Sequence, residues 1–284
     1  AFLKNIKRYE TEMKDKKLVE WLSQDPYPQV HYDRGLSMLY VFKKSLERLS
    51  QEDKGANAIQ LLSQLAYLDP KGIPLDFILA LDEKDNSLLK RKTRAVLLLL
   101  EKYSLVQWDR EAKNAYIHAE TQLIVRELYP QESLTRLISS LINYAGKVEE
   151  AYQHQEKWIS FIPHGRSIYK RIDMEEYLRA TQSLAQYLAD ACTIACLFEE
   201  AVFWSHECLN ASMKIYSYQD HLEVANALEG LGKRLKDLGR YHALLQYYKQ
   251  ALDIRVRLAH GKDHPDVARS LNGVGVCLDK LGIY

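Results

Sequence analysis

The chain is poor in the residues and patterns on which chemistry is usually built. It has only four cysteines, Cys192, Cys196, Cys208 and Cys277, none in a C-x-x-C pair. All four fall in predicted helices, so they read as buried, reduced thiols rather than a disulfide framework or zinc knuckle. No run of about 18 apolar residues occurs, and no membrane span is expected. Ala1 to Lys7 has no apolar core before a cleavage site, which excludes a signal peptide there. Neither sign of charge dominates: 39 Lys and Arg against 38 Asp and Glu leave a net charge of +1. That balance argues against a nucleic-acid coat and against an acidic tail.

Nucleotide, metal and nucleophile motifs are missing too. None of the 12 glycines begins a G-x-x-x-x-G-K-[ST] loop, and Gly230-Leu231-Gly232-Lys233 lacks both spacing and hydroxyl. Asn272-Gly273-Val274-Gly275 has no third glycine and no preceding strand. His206-Glu207-Cys208 lacks a second ligand pair, and His260 and His264 flank a turn. There is no G-x-S-x-G elbow. No catalytic residue, metal ligand or cofactor is expected within these residues, and the protein does not read as an enzyme.

What is present is helical periodicity. Leu3, Ile6, Tyr9 and Met13 predict a first helix ending near Leu22, stopped by Asp25-Pro26-Tyr27-Pro28. A second carries Leu36, Leu39, Phe42, Leu46 and Leu49, and a third runs from Ala56 to Leu68. Asp69-Pro70-Lys71-Gly72 is a turn, Pro74 opens a short helix to Leu81, and Asn86-Ser87 caps a helix to Lys102. The period then drops to two: Leu105 to Trp108 and Ala115 to His118 read as strands around a polar turn, before a helix from Glu120 to Leu128. Everything after Pro130 reads as helical, interrupted at Pro163-His164-Gly165.

The C-terminal part repeats itself. Asp220 to Tyr241 returns 43 residues later as Asp263 to Tyr284, identical at 11 of 22 positions. A period of this size means stacked helical hairpins whose long surfaces bind partners. Ala189, Gly232 and Gly275 are equivalent, as are Ala201 and Leu244, Cys208 and Ala251, Trp204 and Tyr247, and Phe198, Tyr241 and Tyr284. Small residues are expected where helices cross closely and aromatics in the wider gaps. The last helix carries an apolar stripe, Val267, Leu271, Val274 and Leu278, with no second helix after it. The chain therefore reads as part of a longer protein.

The repeat pattern resembles tetratricopeptide repeats of the longer, kinesin-light-chain type. Leu61-Leu62-Ser63-Gln64-Leu65-Ala66-Tyr67-Leu68-Asp69-Pro70, Ile73-Pro74, Leu100-Glu101-Lys102-Tyr103-Ser104-Leu105-Val106 and Ile117-His118-Ala119-Glu120 resemble the winged-helix segment of NB-ARC, or STAND-type, signalling NTPases. Trp158 and Pro163-His164 extend that likeness. The expected fold is mainly α: a helical lead-in (1–50), a winged-helix domain (51–130), a connecting helical segment (131–175) and about two and a half tetratricopeptide repeats (176–284). The resemblance implies the sensor arm of a cytoplasmic NTPase that assembles or signals, with ADP or ATP and Mg held by an upstream module. It also implies that His118 reaches the nucleotide's β-phosphate, although Ala119 replaces the usual aspartate. A helix-start histidine satisfied by backbone is the alternative.

Two surfaces are candidates for partners. Asn226, Glu229, Lys233 and Lys236, with Arg269 and Asn272 in the last repeat and Ser183 and Gln186 in the first, should turn toward the inner face of the solenoid. Amides there can pair with a peptide backbone, and cations can hold acidic side chains. Lys90-Arg91-Lys92-Thr93-Arg94 lies where a DNA-binding winged helix places its recognition helix. Leu88, Leu89, Val96 and Leu97 claim one side of that helix for the core, so nucleic acid is not the expected partner. Three functions follow: a sensor arm binding a protein or peptide, a DNA-binding regulator, and a scaffold or bacterial effector adaptor without NTPase activity.

Overall fold

Apolar residues at spacings of three and four build the first helix of the computed structural model, which describes residues 42, 44–81, 87–130, 134–146, 153–260, 262 and 264–283, and only the backbone at 87–91. The chain divides between Ser45 and Leu46 into two units. The predicted lead-in helix, the breaker at Asp25 to Pro28 and the cap residue Asn86 lie outside the described residues. In the second unit, α1 (Gly55–Leu65) buries Ala58, Leu61, Leu62 and Leu65. Gly55 is required at its start, since a Cβ there would sit 2.1 Å from the Leu49 carbonyl oxygen.

Next come β1 (Ile73–Pro74), α2 (Leu75–Ala80), α3 (Ser87–Lys102), β2 (Gln107–Asp109), β3 (Asn114–Tyr116) and α4 (Ala119–Leu128). The strands form one antiparallel sheet in the order β1-β3-β2, with Ile73 opposite Ala115 and Trp108 opposite Ala115 on the other side. The expected hairpin thus gains a third strand. It is two residues long and contains a proline, too short to show a period of two, and Pro74 lies at the sheet's edge, where its missing N–H costs no ladder bond. The β2–β3 turn is set by Asp109 Oδ1, which accepts from the N–H groups of Glu111 and Ala112, each at 2.9 Å. α4 satisfies the open end of α1: Gln122 Nε2 donates to the carbonyls of Leu65 and Leu68, and Arg126 to Ala66.

From here the chain is a stack of helical hairpins. They are α5 (Leu134–Ala145) with α6 (Gln155–Tyr169), α7 (Leu178–Ile194) with α8 (Phe198–Ile215), and α9 (Leu222–Asp237) with α10 (Tyr241–Ala259). α11 (Pro265–Lys280) follows. The expected interruption at Pro163-His164-Gly165 is absent, because α6 runs through it. Proline's φ is helical, and its missing N–H frees only the carbonyl of Ile159, which lies on the solvent side. Full burial of Trp158, Phe161 and Ile168 outweighs that loss.

The second helices α6, α8 and α10 start at 155, 198 and 241, so the 43-residue spacing holds one hairpin upstream of residue 176. Gly165 occupies the close crossing held later by Cys208 and Ala251; its Cβ would meet Leu188 of α7 at 2.9 Å. Phe161 likewise stands in register with Trp204 and Tyr247. The N-terminal module docks on this hairpin. Asp69 N–H donates to His164 Nδ1 at 3.2 Å, Ser167 Oγ donates to the Tyr67 carbonyl at 2.8 Å, and Phe77 packs on Tyr144 and His164.

Three packing expectations need correction. Gly275 meets nothing within 4 Å, unlike Ala189 and Gly232, because no second helix follows α11 in these residues to cross it. Of the stripe on α11, Val274 and Leu278 pack against the core formed with α9 and α10, whereas Leu271 is 54% exposed. Cys196 is not helical: it sits exposed at φ 59 in the turn after α7, while Cys192, Cys208 and Cys277 are buried.

Candidate functional site

On α9, Val224, Leu228, Leu231 and Leu235 take the buried side, which turns Asn226, Lys233 and Lys236 outward and leaves Glu229 half-buried. α11 repeats this, with Ser270 and Cys277 buried and Arg269 and Asn272 exposed. Ser183 on α7 is exposed, and Gln186 is half-buried. Glu229, Arg269 and Asn272 converge on a cleft of about 160 Å³ between α9, α10 and α11, which Tyr248, Ala251, Ser270 and Gly273 complete. Asn226, Lys233 and Lys236 lie beside it on α9.

Several of these side chains are already engaged inside the fold. Arg255, 2% exposed at its side chain, donates to Asn226 Oδ1 at 2.8 Å and pairs with Glu229 at 2.8 Å, and its other nitrogen bonds Ser270 Oγ. Lys233 pairs with the second Glu229 oxygen at 3.2 Å. Burial works against ionisation of Glu229, yet Arg255 and Lys233 hold its carboxyl below the usual range. Asn226 keeps its Nδ2 donors free of Arg255. One repeat earlier, Asp190 is buried, accepts from Gln186 Nε2 at 3.1 Å and pairs with Arg234; burial pushes its carboxyl up, and Arg234 pulls it back. Tyr248 is half-buried, and burial beside Glu229 pushes its phenol up to about 12.

Arg255, Tyr248 and the Asp190–Arg234 pair were not singled out by the sequence. Arg255 carried a signal, because it falls on the apolar stripe of α10 with Leu244, Ala251 and Ile254. The repeat register hid it: its equivalent 43 residues earlier is Ser212.

His118 is the N-cap of α4. Its Nδ1 accepts from the Glu120 N–H at 3.4 Å, and the ring is 72% exposed. His221 and His264 cap α9 and α11 in the same way, from Glu223 and Asp266. An accepting Nδ1 places the neutral ring's proton on Nε2, which faces outward as a donor. That fits a phosphate oxygen, but one donor does not build a nucleotide site.

Lys92 and Arg94 of the basic run are exposed on α3, and the Lys90 and Arg91 side chains lie outside the described residues. Thr93, Val96 and Leu97 are buried, and Leu98 is 47% exposed. Arg110 in the β2–β3 turn is bound to Glu101 at 2.6 Å. This surface offers scattered charge rather than a phosphate track.

Among the described residues no group of three or more His, Cys, Asp and Glu is placed to hold a metal, and no helix is long and apolar enough to cross a membrane. The fold and the cleft define a helical-repeat protein, which works by binding along its surface. Residues 223–284, from α9 to the end of the chain, match the tetratricopeptide-repeat family, whose members are typically non-catalytic interaction scaffolds. No curated protein matches the chain.

Proposed function

We propose that this chain is the non-catalytic sensor arm of a STAND-type NTPase, binding a protein or peptide on the face of α7, α9 and α11 and relaying that event through a winged-helix module. The winged-helix reading is supported by the element order, three helices with β1, β2 and β3 between and after them, and by the β1-β3-β2 sheet. The relay rests on one observation. The turn after α1 is clamped to α6 through His164 and Ser167, which ties the module to the first helical hairpin. The register of α6 with α8 and α10 supports counting the α5–α6 hairpin as a further repeat, which lengthens the binding face. In this reading His118 would donate to the phosphate of ADP or ATP held by a separate module with Mg.

Hydrogen exchange with and without a captured partner tests the relay. Protection should change on α9 and α11 and also at residues 66–72 and 118–122. A change confined to α7 through α11 would overturn the relay and leave a scaffold. Titration with Mg-ATP and Mg-ADP should give no binding, since these residues carry no phosphate loop; micromolar affinity would overturn the non-catalytic reading.

A further inference from the structure

Four arginines are buried or half-buried among the described residues. A guanidinium drawn out of water needs a counter-charge, and three of the four have one. Arg166 pairs with Glu200, Arg234 with Asp190 and Arg255 with Glu229. Arg126 of α4 is the exception. It is half-buried, yet no carboxylate among the described residues lies within 4.0 Å of it.

What stands beside Arg126 is a second cation. Arg171, exposed just past the end of α6, also lacks a carboxylate within 4.0 Å among the described residues. Glu127 acts on Arg126, and Asp69 on Arg171, only from farther away. Both guanidiniums brace the turn after α1. Arg126 Nη1 donates to the Ala66 carbonyl. Arg171 Nη1 donates to the carbonyl and to Oγ of Ser167, each at 2.7 Å, and that Oγ donates to the Tyr67 carbonyl. Each arginine commits one nitrogen to these bonds, and the spare nitrogens of Arg126 are open to solvent. Burial, and then the charge of Arg171, lower the Arg126 pKa to about 10.

We infer that Arg126 and Arg171 form a binding site for a phosphate-type oxyanion at the joint between the N-terminal module and the first hairpin. A carboxylate would neutralise one guanidinium and leave the other. A phosphate monoester carries about −1.5 to −2 near neutral pH, which matches two cations. Its three oxygens accept from the Nε and Nη2 donors that the two planar forks leave unused. Bound there, the anion ties α4 to the end of α6 across the turn at 66–69, so it tightens the docking of the module on the hairpin.

Isothermal titration calorimetry decides it, with inorganic phosphate and a phosphoserine peptide as probes and acetate at matched ionic strength as the control. Phosphate should bind saturably and acetate should not. Arg171→Gln, at an exposed position, should weaken phosphate binding about tenfold or more. Arg126→Lys, which keeps the charge and loses the fork, should weaken it too. Phosphate should also raise the melting temperature of the parent more than that of either variant. Tighter binding of phosphate than of the peptide would place the anion on a small solute, and the reverse would place it on a phosphorylated protein. Equal binding of acetate, or no saturable binding of either phosphate probe, would overturn the site. So would unchanged affinity in both variants with unchanged circular dichroism. Each of these outcomes leaves the reading of α9 and α11 as a partner-binding face standing.

Discussion

Gly232 of α9 lies against Tyr248 of α10 more closely than any side chain would permit. A Cβ at Gly232 would stand 2.4 Å from Cε1 of the ring, and one at Gly273 of α11 would stand 2.9 Å from Cε2. The ring is thus held edge-on between two helices by residues without side chains, and it forms a wall of the cleft. It cannot swing away from one glycine without striking the other.

Gly232→Ala should therefore destabilise the repeats, by about 1–3 kcal/mol, even though alanine is the better helix former. Gly275→Ala, at an open position in α11, should be neutral or stabilise by up to about 1 kcal/mol. Urea midpoints of the two variants check this. Equal effects would mean that the ring is not confined.

Arg255→Ala should cost about 3–5 kcal/mol, because it leaves Glu229 half-buried without its main partner. Adding Glu229→Gln should recover part of that loss, since the stranded charge is then gone. A double-mutant cycle by chemical unfolding measures the coupling; additive effects would show that the pair does not hold α9, α10 and α11 together.

His164 sets a pH dependence. Burial lowers its pKa from 6.5 to about 4, and Asp69 and the Gly72 backbone only partly oppose this. Above pH 6.5 the ring is neutral in both folded and unfolded chains. Below it, the unfolded chain takes up a proton that the folded chain refuses, so stability falls as pH drops toward 4, by up to about 3 kcal/mol. Unfolding midpoints between pH 7 and pH 5 should fall more steeply for the parent than for His164→Gln. Identical slopes would remove His164 from the clamp.

His118→Ala should destabilise the N-terminal module by about 1 kcal/mol through loss of the α4 cap, whereas His118→Asn, a good N-cap, should cost much less. Thermal melting reads both. If the alanine variant melts with the parent, the capping bond contributes nothing and the ring is free for another role.

The repeats were legible because their information is local and doubled. A small residue at each crossing and an aromatic at each gap, returned after 43 positions, specify hairpin stacking whatever lies around them. The N-terminal module was legible in its helices and in β2 and β3, but not in β1, whose two residues form a strand only because β3 pairs with them. Pro163 misled for a similar reason. Its helix-breaking tendency is a local property, and the buried aromatic face of α6 overrides it.

The candidate site divides in the same way. Helical periodicity by itself determined which residues of α9 and α11 share a face, because pitch alone places 226, 229, 233 and 236 together. It could not determine which of them remain available. That was decided by Arg255, which reaches from α10 and consumes Glu229, as Arg234 of α9 consumes Asp190 of α7, since an ion pair depends on separations of a few ångströms that only the packed chain sets.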